Sequence, residues 1–147
     1  MSPNRLHVER LWELYAWPER NLPMRTMTIE KLLTYRVQPD YVSDAERTRK
    51  QPTRVWDYGR IRHFYERLLA GDTLNVIEVD NVCDHGRIYP EPIVLDGHHR
   101  LAASHLAGAR IILASYGGRV DLLRYLTGAR SSSPASRELQ RGRKAKP

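Results

Sequence analysis

The sequence predicts an α+β fold with a small mixed sheet flanked by helices. An apolar run over residues 92–95 leads into an Asp-Gly turn and then into an alanine-rich helical pattern. A second apolar stripe lies at helical spacing within residues 57–70, and a run rich in branched side chains covers residues 109–116. Strands and helices mixed in this order favour a small sheet with helices packed on it.

The first third of the chain gives weaker signals. Leucines near helical spacing predict a helix over residues 4–16, which ends before Pro18. Residues 28–33 fit either a short strand or a helical turn. Residues 36–54 are polar and predict a long surface loop, and loops of this length in a compact domain are often functional.

The remaining elements have clearer boundaries. Asp57 fits the N-cap of a helix that Gly71 ends. The inner stripe of this helix is predicted to be Ile61, Phe64, Tyr65, Leu68 and Leu69. Strands are predicted over 74–79, 92–95 and 109–116, and helices over 98–107 and 120–126. The helix over 98–107 is predicted to turn Leu101, Ala102, His105 and Leu106 inward.

Composition narrows the class of protein. The chain of 147 residues fits one domain, and a hydrophobic content of 41% is ordinary for a globular protein. No apolar run approaches the ~20 residues that span a bilayer, and the N-terminus lacks the pattern of a secretory signal. One cysteine, Cys83, excludes an intrachain disulfide and a multi-cysteine zinc site. We therefore expect a cytoplasmic protein with no membrane partner.

The net charge of +7 is unevenly distributed. Residues 129–147 hold six basic residues and one acid, Glu138, so most of the excess lies there. This segment is predicted to be a disordered, solvated tail, with non-specific contact to nucleic acid as the alternative. The predicted organisation is an N-terminal helix and linker over 1–27, a domain over 28–128 and the basic tail over 129–147.

The densest cluster of polar groups follows the predicted strand at 92–95. Gly97 has no side chain, so an anion can approach its backbone at the start of the next helix. Arg100 offers a planar fork that suits phosphate oxygens. His98 and His99 can donate hydrogen bonds or carry a proton near neutral pH. Asp96 can hold a magnesium ion or act as a base.

The run Asp96-Gly97-His98-His99-Arg100, in its strand-to-helix context, resembles the ParB/sulfiredoxin-like fold family. The similar stretch extends from Arg60 to Gly118. ParB proteins carry Gly-Glu-Arg-Arg at this junction, sulfiredoxin carries Gly-Gly-Cys-His-Arg, and the free-serine kinases carry Asp-Gly-His-Thr-Arg. The last motif is the nearest to this sequence.

The resemblance implies a pocket for a nucleoside triphosphate, ATP or CTP, with Mg²⁺, and hydrolysis or phosphoryl transfer as the reaction. The catalytic candidates are Asp96, His98 and His99. The phosphate-binding candidates are Gly97, His98, His99, Arg100 and Arg60, and the metal candidate is Asp96. Arg60 joins them because a basic group at the start of the predicted helix over 57–70 opposes the helix dipole, which a bound phosphate would relieve.

Departures from the family leave the chemistry open. Position 98 is His rather than Cys or Glu, so the reaction of sulfiredoxin is not supported and the ParB pattern is incomplete. No helix-turn-helix region follows the predicted domain. The catalytic glutamate of the serine kinases has no assignable counterpart here.

Two other functions stay open at this stage. One is a DNA-binding or nuclease module that uses the basic tail and the segment 47–62, and the other is a non-enzymatic partner-binding protein. Structural roles also compete, with Asp96 as a helix cap, Arg100 paired with a carboxylate such as Asp121, and Tyr58 in the core rather than on a base. A metal site from His98 and His105 is disfavoured, because residues seven apart lie ~10 Å apart along a helix.

Overall fold

The computed structural model describes residues 3–40, 53–82 and 86–134, and the side chains of residues 53, 54 and 82 are not part of that description. Its strands are β1 (Asn4–His7), β2 (Ile77–Val82), β3 (Ile88–Asp96) and β4 (Ile111–Tyr116). Its α-helices are α1 (Val8–Leu14), α2 (Leu22–Arg25), α3 (Ile29–Leu32), α4 (Thr53–Leu69), α5 (His98–Leu106) and α6 (Val120–Leu126). A 3₁₀ turn, Glu19–Asn21, precedes α2.

These elements group into two compact units. The sheet unit takes its described residues from Met1–Ala16, Asn75–Gly97 and Arg110–Pro147. The helical unit takes its described residues from Trp17–Leu74 and His98–Ala109. The chain passes from one unit to the other between Gly97 and His98, which is the middle of the motif that the sequence singles out.

The sheet unit contains a four-stranded mixed sheet in the order β1-β4-β2-β3. β1 pairs antiparallel with β4, β4 pairs parallel with β2, and β2 pairs antiparallel with β3. The predicted α+β class with a small mixed sheet and helices is therefore confirmed. Helices α1 and α6 pack in this unit, and its core consists of Leu6, Val8, Leu11, Ile77, Val79, Val94, Ile112, Ala114, Leu122 and Leu126.

A buried amide ties three parts of the sheet unit together. Asn81 is fully buried, and its Nδ2 donates to the carbonyl oxygens of Tyr89 and Glu91 at 3.2 and 2.9 Å. Its Oδ1 accepts from the hydroxyl of Tyr116 and from the backbone N–H of Arg119. Because a buried amide is stable only when it is hydrogen-bonded, these contacts fix the β3 backbone and the turn after β4 around one side chain.

The helical unit is built around the contact between α4 and α5. Leu101, Ala102 and Ala103 of α5 are fully buried, and small residues at two of these positions let the helices approach closely. The other residues of the hydrophobic core of this unit are Trp17, Met24, Met27, Leu32, Trp56, Tyr58, Ile61, Phe64, Tyr65 and Leu74.

Glycines end the two long helices of this unit, as predicted. Gly71 has φ +89° after α4, and Gly108 has φ +71° after α5. The next N–H in each case reaches back to a carbonyl of the last helical turn, Asp72 to Arg67 and Ala109 to Ser104. Glycine adopts this left-handed conformation at little cost, so both helices stop where the sequence predicts.

Four predictions of local structure are wrong. Residues 4–7 form β1 instead of the first turn of a helix, because they pair with Ile111–Ala114 of β4. The second strand begins at Ile77, where pairing with β4 begins. Leu69 is exposed at 62% rather than inside. On α5, Ala103 and Ser104 are buried, whereas the sequence predicted that His105 and Leu106 would be.

Two further expectations concern Asp57 and residues 28–33. The helix begins at Thr53, so Asp57 lies inside it and does not cap it. The choice left open for residues 28–33 is decided in favour of helix, with α3 capped by the side chain of Thr28. Most of the predicted loop over 36–54 lies outside the described residues, which resume at Thr53.

Candidate functional site

Gly97, the glycine of the motif, is required by the packing of the sheet unit. Gly97 is buried at the end of β3 with φ +114°. A Cβ atom here would overlap the Cβ and Cγ2 atoms of Ile77, a fully buried residue of β2. Both the conformation and the close packing demand glycine. This explains the residue without a ligand, and its predicted approach to phosphate stays a prediction.

Asp96 is the last residue of β3 and is exposed. In the sheet it lies directly opposite Glu78 of β2, which is also exposed. Two carboxylates at opposed positions repel one another unless a cation or a donor lies close by. Within residues 3–40, 53–82 and 86–134, no group of three or more His, Cys, Asp or Glu side chains is arranged to hold a metal ion.

The other half of the motif forms the first turn of α5 in the helical unit. His98, His99 and Arg100 are all half-buried. The ring of His98 lies 5.9 Å from the ring of Trp17, centroid to centroid. Adjacent positions on a helix point about 100° apart. The two histidines accordingly have different neighbours, and the ring of His99 contacts a carboxylate.

His99 forms a close polar contact across the α4–α5 packing. Its Nε2 lies 2.7 Å from Oδ1 of Asp57, and the exposed fractions of the two side chains are 20% and 14%. The ring of Trp56 meets the imidazole edge to face, with centroids 5.2 Å apart and an interplanar angle of 89°. A carboxylate and an aromatic ring therefore hold the imidazole in one orientation.

Arg60 lies on the same side of α4 as Asp57, three residues further along. Its guanidinium donates to the carbonyl oxygen of Pro39 and lies 4.5 Å from the centroid of the Phe64 ring. Burial lowers the pKa of Arg60, and the nearby positive charge of Arg100 lowers it further. The reason first given for Arg60 is wrong, since it lies in the second turn of α4 and not at the helix start.

Further basic side chains continue along this side of α4. Burial lowers the pKa of His63, and the charges of Arg60 and Arg67 add to that effect. We call Arg60, His63, Arg67 and Arg100 the cationic cluster. Arg67 also pairs with Asp72 at 3.4 Å. Arg62 is outside the cluster, because its guanidinium is bound by the carbonyl oxygens of Leu33 and Tyr35 and by Glu66.

Two of the competing structural roles concern Asp121 and Tyr58. Asp121 is bound by Arg119, with Nη2 to Oδ2 at 2.6 Å, and the pairing suggested for Arg100 stays a prediction. Tyr58 is 3% exposed and packs edge-on against Tyr35, which agrees with the core role, although it also lines an open cavity with Leu22, Pro23, Thr26, Met27 and Lys31.

Several residues weighed in the sequence lie outside the described part of the chain. These are the first part of the segment 47–62, with Arg47, Arg49 and Lys50, together with Cys83 and most of the basic tail. At the start of that tail, Arg130 is held in the sheet unit, because its carbonyl oxygen accepts from Arg10 at 2.8 Å.

Sequence reasoning missed Asp57, Trp56 and His63 as members of this site. Asp57 was assigned to a helix cap, and its actual partner is 42 residues away in the chain. The available signal was spacing, because residues 57, 60, 63 and 67 recur at intervals of three and four and so share one side of a helix.

Comparison with protein-family models, with curated proteins and with solved structures found no match to this chain. Among the helices of the described residues, none has the length and apolar character needed to cross a bilayer.

Proposed function

We propose that the helical unit binds a phosphate-bearing ligand, a nucleoside triphosphate, at the first turn of α5. Arg100 and Arg60 bind the phosphates, and His98 and His99 lie at the same turn. The observation that carries this proposal is the proximity of Arg60 and Arg100. Burial lowers the pKa of the Arg60 guanidinium on α4, and the positive charge of Arg100 on the neighbouring helix α5 lowers it further.

A phosphate group would relieve this repulsion. Guanidinium forks bind phosphate oxygens in pairs, and charge-assisted hydrogen bonds of this kind are about twice as strong as neutral ones. The start of α5 adds backbone N–H groups and the positive end of a helix dipole. Both contributions favour a multiply charged anion over a carboxylate.

The choice of a nucleoside triphosphate rests on the resemblance of the motif to the ParB/sulfiredoxin-like family. The same resemblance names Mg²⁺ as the ion that accompanies the phosphates, with Asp96 as its predicted ligand.

Titration calorimetry with ATP, CTP and GTP, each with Mg²⁺, tests the proposal. We expect binding of at least one of them, and a loss of about 10- to 100-fold in affinity for Arg100→Gln, since a charge-assisted hydrogen bond contributes about 1.5–3 kcal/mol. Arg124→Gln is the matched control, because Arg124 is an exposed arginine on α6 of the sheet unit. Equal affinities for the two variants would contradict the proposal.

The same titration distinguishes the nucleic-acid alternative. A ligand held by the cationic cluster as a generic polyanion would be displaced by duplex DNA at the same ionic strength. We expect nucleotide binding to persist in excess DNA, and binding that DNA abolishes would favour a nucleic-acid module instead.

A further inference from the structure

The pair formed by Asp57 and His99 is placed beside the cationic cluster by simple helix geometry. Asp57 and Arg60 are three residues apart on α4, and His99 and Arg100 are neighbours in the first turn of α5. Asp57 contacts His99, and Arg60 lies close enough to Arg100 for the charge of Arg100 to lower the pKa of Arg60. An anion held by the two arginines would therefore lie next to the imidazole.

The hydrogen bond determines which imidazole nitrogen exchanges a proton. An ionised carboxylate can only accept, so Nε2 of His99 must be the donor to Asp57. This holds for the neutral ring and for the imidazolium alike. Nε2 keeps its proton in both states, and Nδ1 is the atom that gains and loses one.

We propose that His99 is the general base of this site and that Asp57 is its positioning residue. This inference rests on the proposed function and names its reaction, the hydrolysis of the terminal phosphoryl group. The combination of a fixed tautomer, a fixed ring plane against Trp56 and an adjacent pair of arginines distinguishes His99 from His98, whose ring packs near Trp17.

Nδ1 of His99 removes a proton from a water molecule while the water oxygen forms a bond to the terminal phosphorus. The bond from that phosphorus to the bridging oxygen breaks, and its electron pair leaves with the nucleoside diphosphate. Asp57 stabilises the imidazolium that results, and the proton on Nδ1 then passes to solvent, which restores the base.

Nitrogen-15 NMR of the histidine side chains in the full chain tests the tautomer without any ligand. Signals of His99 are assigned by their loss in His99→Gln. At a pH where the ring is neutral, we expect a protonated Nε2 and a lone-pair-bearing Nδ1 in the wild type, and a mixture of tautomers in Asp57→Ala. A wild-type ring protonated on Nδ1 would overturn the proposal.

Kinetics with the triphosphate that binds best test the role itself. We expect His99→Gln and Asp57→Asn to lower kcat for phosphate release by about 10²–10⁴-fold, the usual contribution of a general base, with nucleotide affinity largely retained. Asp72→Asn is the control, because Asp72 follows the end of α4 and pairs with Arg67. Unchanged kcat in Asp57→Asn, or tight binding with no hydrolysis by the wild type, would overturn the assignment of His99 as general base and leave the proposed binding intact. Absence of binding would overturn both.

Discussion

Nε2 of His99 and Oδ1 of Asp57 lie 2.7 Å apart across the packed faces of α5 and α4, and both side chains are largely removed from solvent. The contact joins residues that are 42 positions apart. It fixes the rotational position of α5 against α4, and with it the direction in which the first turn of α5 presents its polar groups.

This pair should contribute measurably to stability. Asp57→Ala leaves a partly buried imidazole without its acceptor, and we expect a loss of about 1–3 kcal/mol in the free energy of unfolding. Asp72→Ala breaks a more exposed pair with Arg67 and should cost under about 1 kcal/mol. Urea denaturation of both variants measures the difference, and equal losses would argue against a structural role for the contact.

The packing of Gly97 gives a second prediction. Gly97→Ala adds a Cβ that overlaps Ile77 at a backbone φ of +114°. Strain and overpacking together should lower the free energy of unfolding by about 2–4 kcal/mol. Gly71→Ala has a similar positive φ and open space around the added atom, so it should cost about 1–2 kcal/mol. Denaturant titration compares the two, and a Gly97 variant no worse than the Gly71 variant would contradict the packing.

Tyr116 should make the sheet unit sensitive to alkali. Burial raises the pKa of Tyr116, and the charges of Asp121 and Asp80 raise it further. The folded state therefore holds this proton more tightly than the unfolded state, in which the pKa is about 10. Stability conferred by the neutral phenol is complete below about pH 10 and falls as the pH rises towards the raised pKa.

Thermal unfolding as a function of pH measures this effect. Tyr116→Phe removes the group that titrates, so it should flatten the alkaline fall in Tm. It should also lower Tm at neutral pH, because the hydroxyl donates to Asn81 and to the carbonyl oxygen of Arg119. An alkaline slope as steep as that of the wild type would show that another group is responsible.

His63 reports on the cationic cluster. Burial lowers its pKa below the ordinary value of about 6.5, and Arg60 and Arg67 lower it further. A histidine whose folded pKa is depressed contributes stability above its ordinary pKa, and this contribution is lost as the pH falls through the folded value.

Proton NMR titration of His63 checks the origin of that shift. Arg60→Gln should raise the pKa of His63 towards its ordinary value, because one of the two repelling charges is removed. Arg36→Gln is the control, since Arg36 is exposed and is not among the charges that shift His63. Equal titration curves for Arg60→Gln and the wild type would remove Arg60 from the cluster.

Local signals made much of the fold predictable. The strand before Gly97, the helix after it and the glycine ends at Gly71 and Gly108 depend on residues that are near neighbours in sequence. β1 was missed because Asn4–His7 forms a strand only through pairing with Ile111–Ala114, which no local pattern reports. The position of β2 was shifted for the same reason, since a buried Asn81 inside a strand contradicts propensity and is stabilised by distant partners.

The candidate site was predictable only in part. His98, His99 and Arg100 were identified from their place at a helix start, which is a local feature. Asp57 and Trp56, which contact His99, and Arg60, which lies near Arg100, come from α4, and the register of one helix on another is a tertiary property. Asp57 was assigned to a cap because the helix was expected to begin there, four residues after its actual start at Thr53.

Chemical-shift mapping of the labelled full chain tests most directly whether the first turn of α5 and the facing side of α4 bind a triphosphate. On addition of the Mg²⁺ nucleotide that binds best, we expect the largest amide shifts at residues 98–101 and 57–63, together with a rise in the pKa of His63 as the bound anion offsets the charges of Arg60 and Arg67. If the largest shifts lie elsewhere in the chain, and the signals of residues 57–63 and the pKa of His63 do not change, binding of the triphosphate at this site is contradicted.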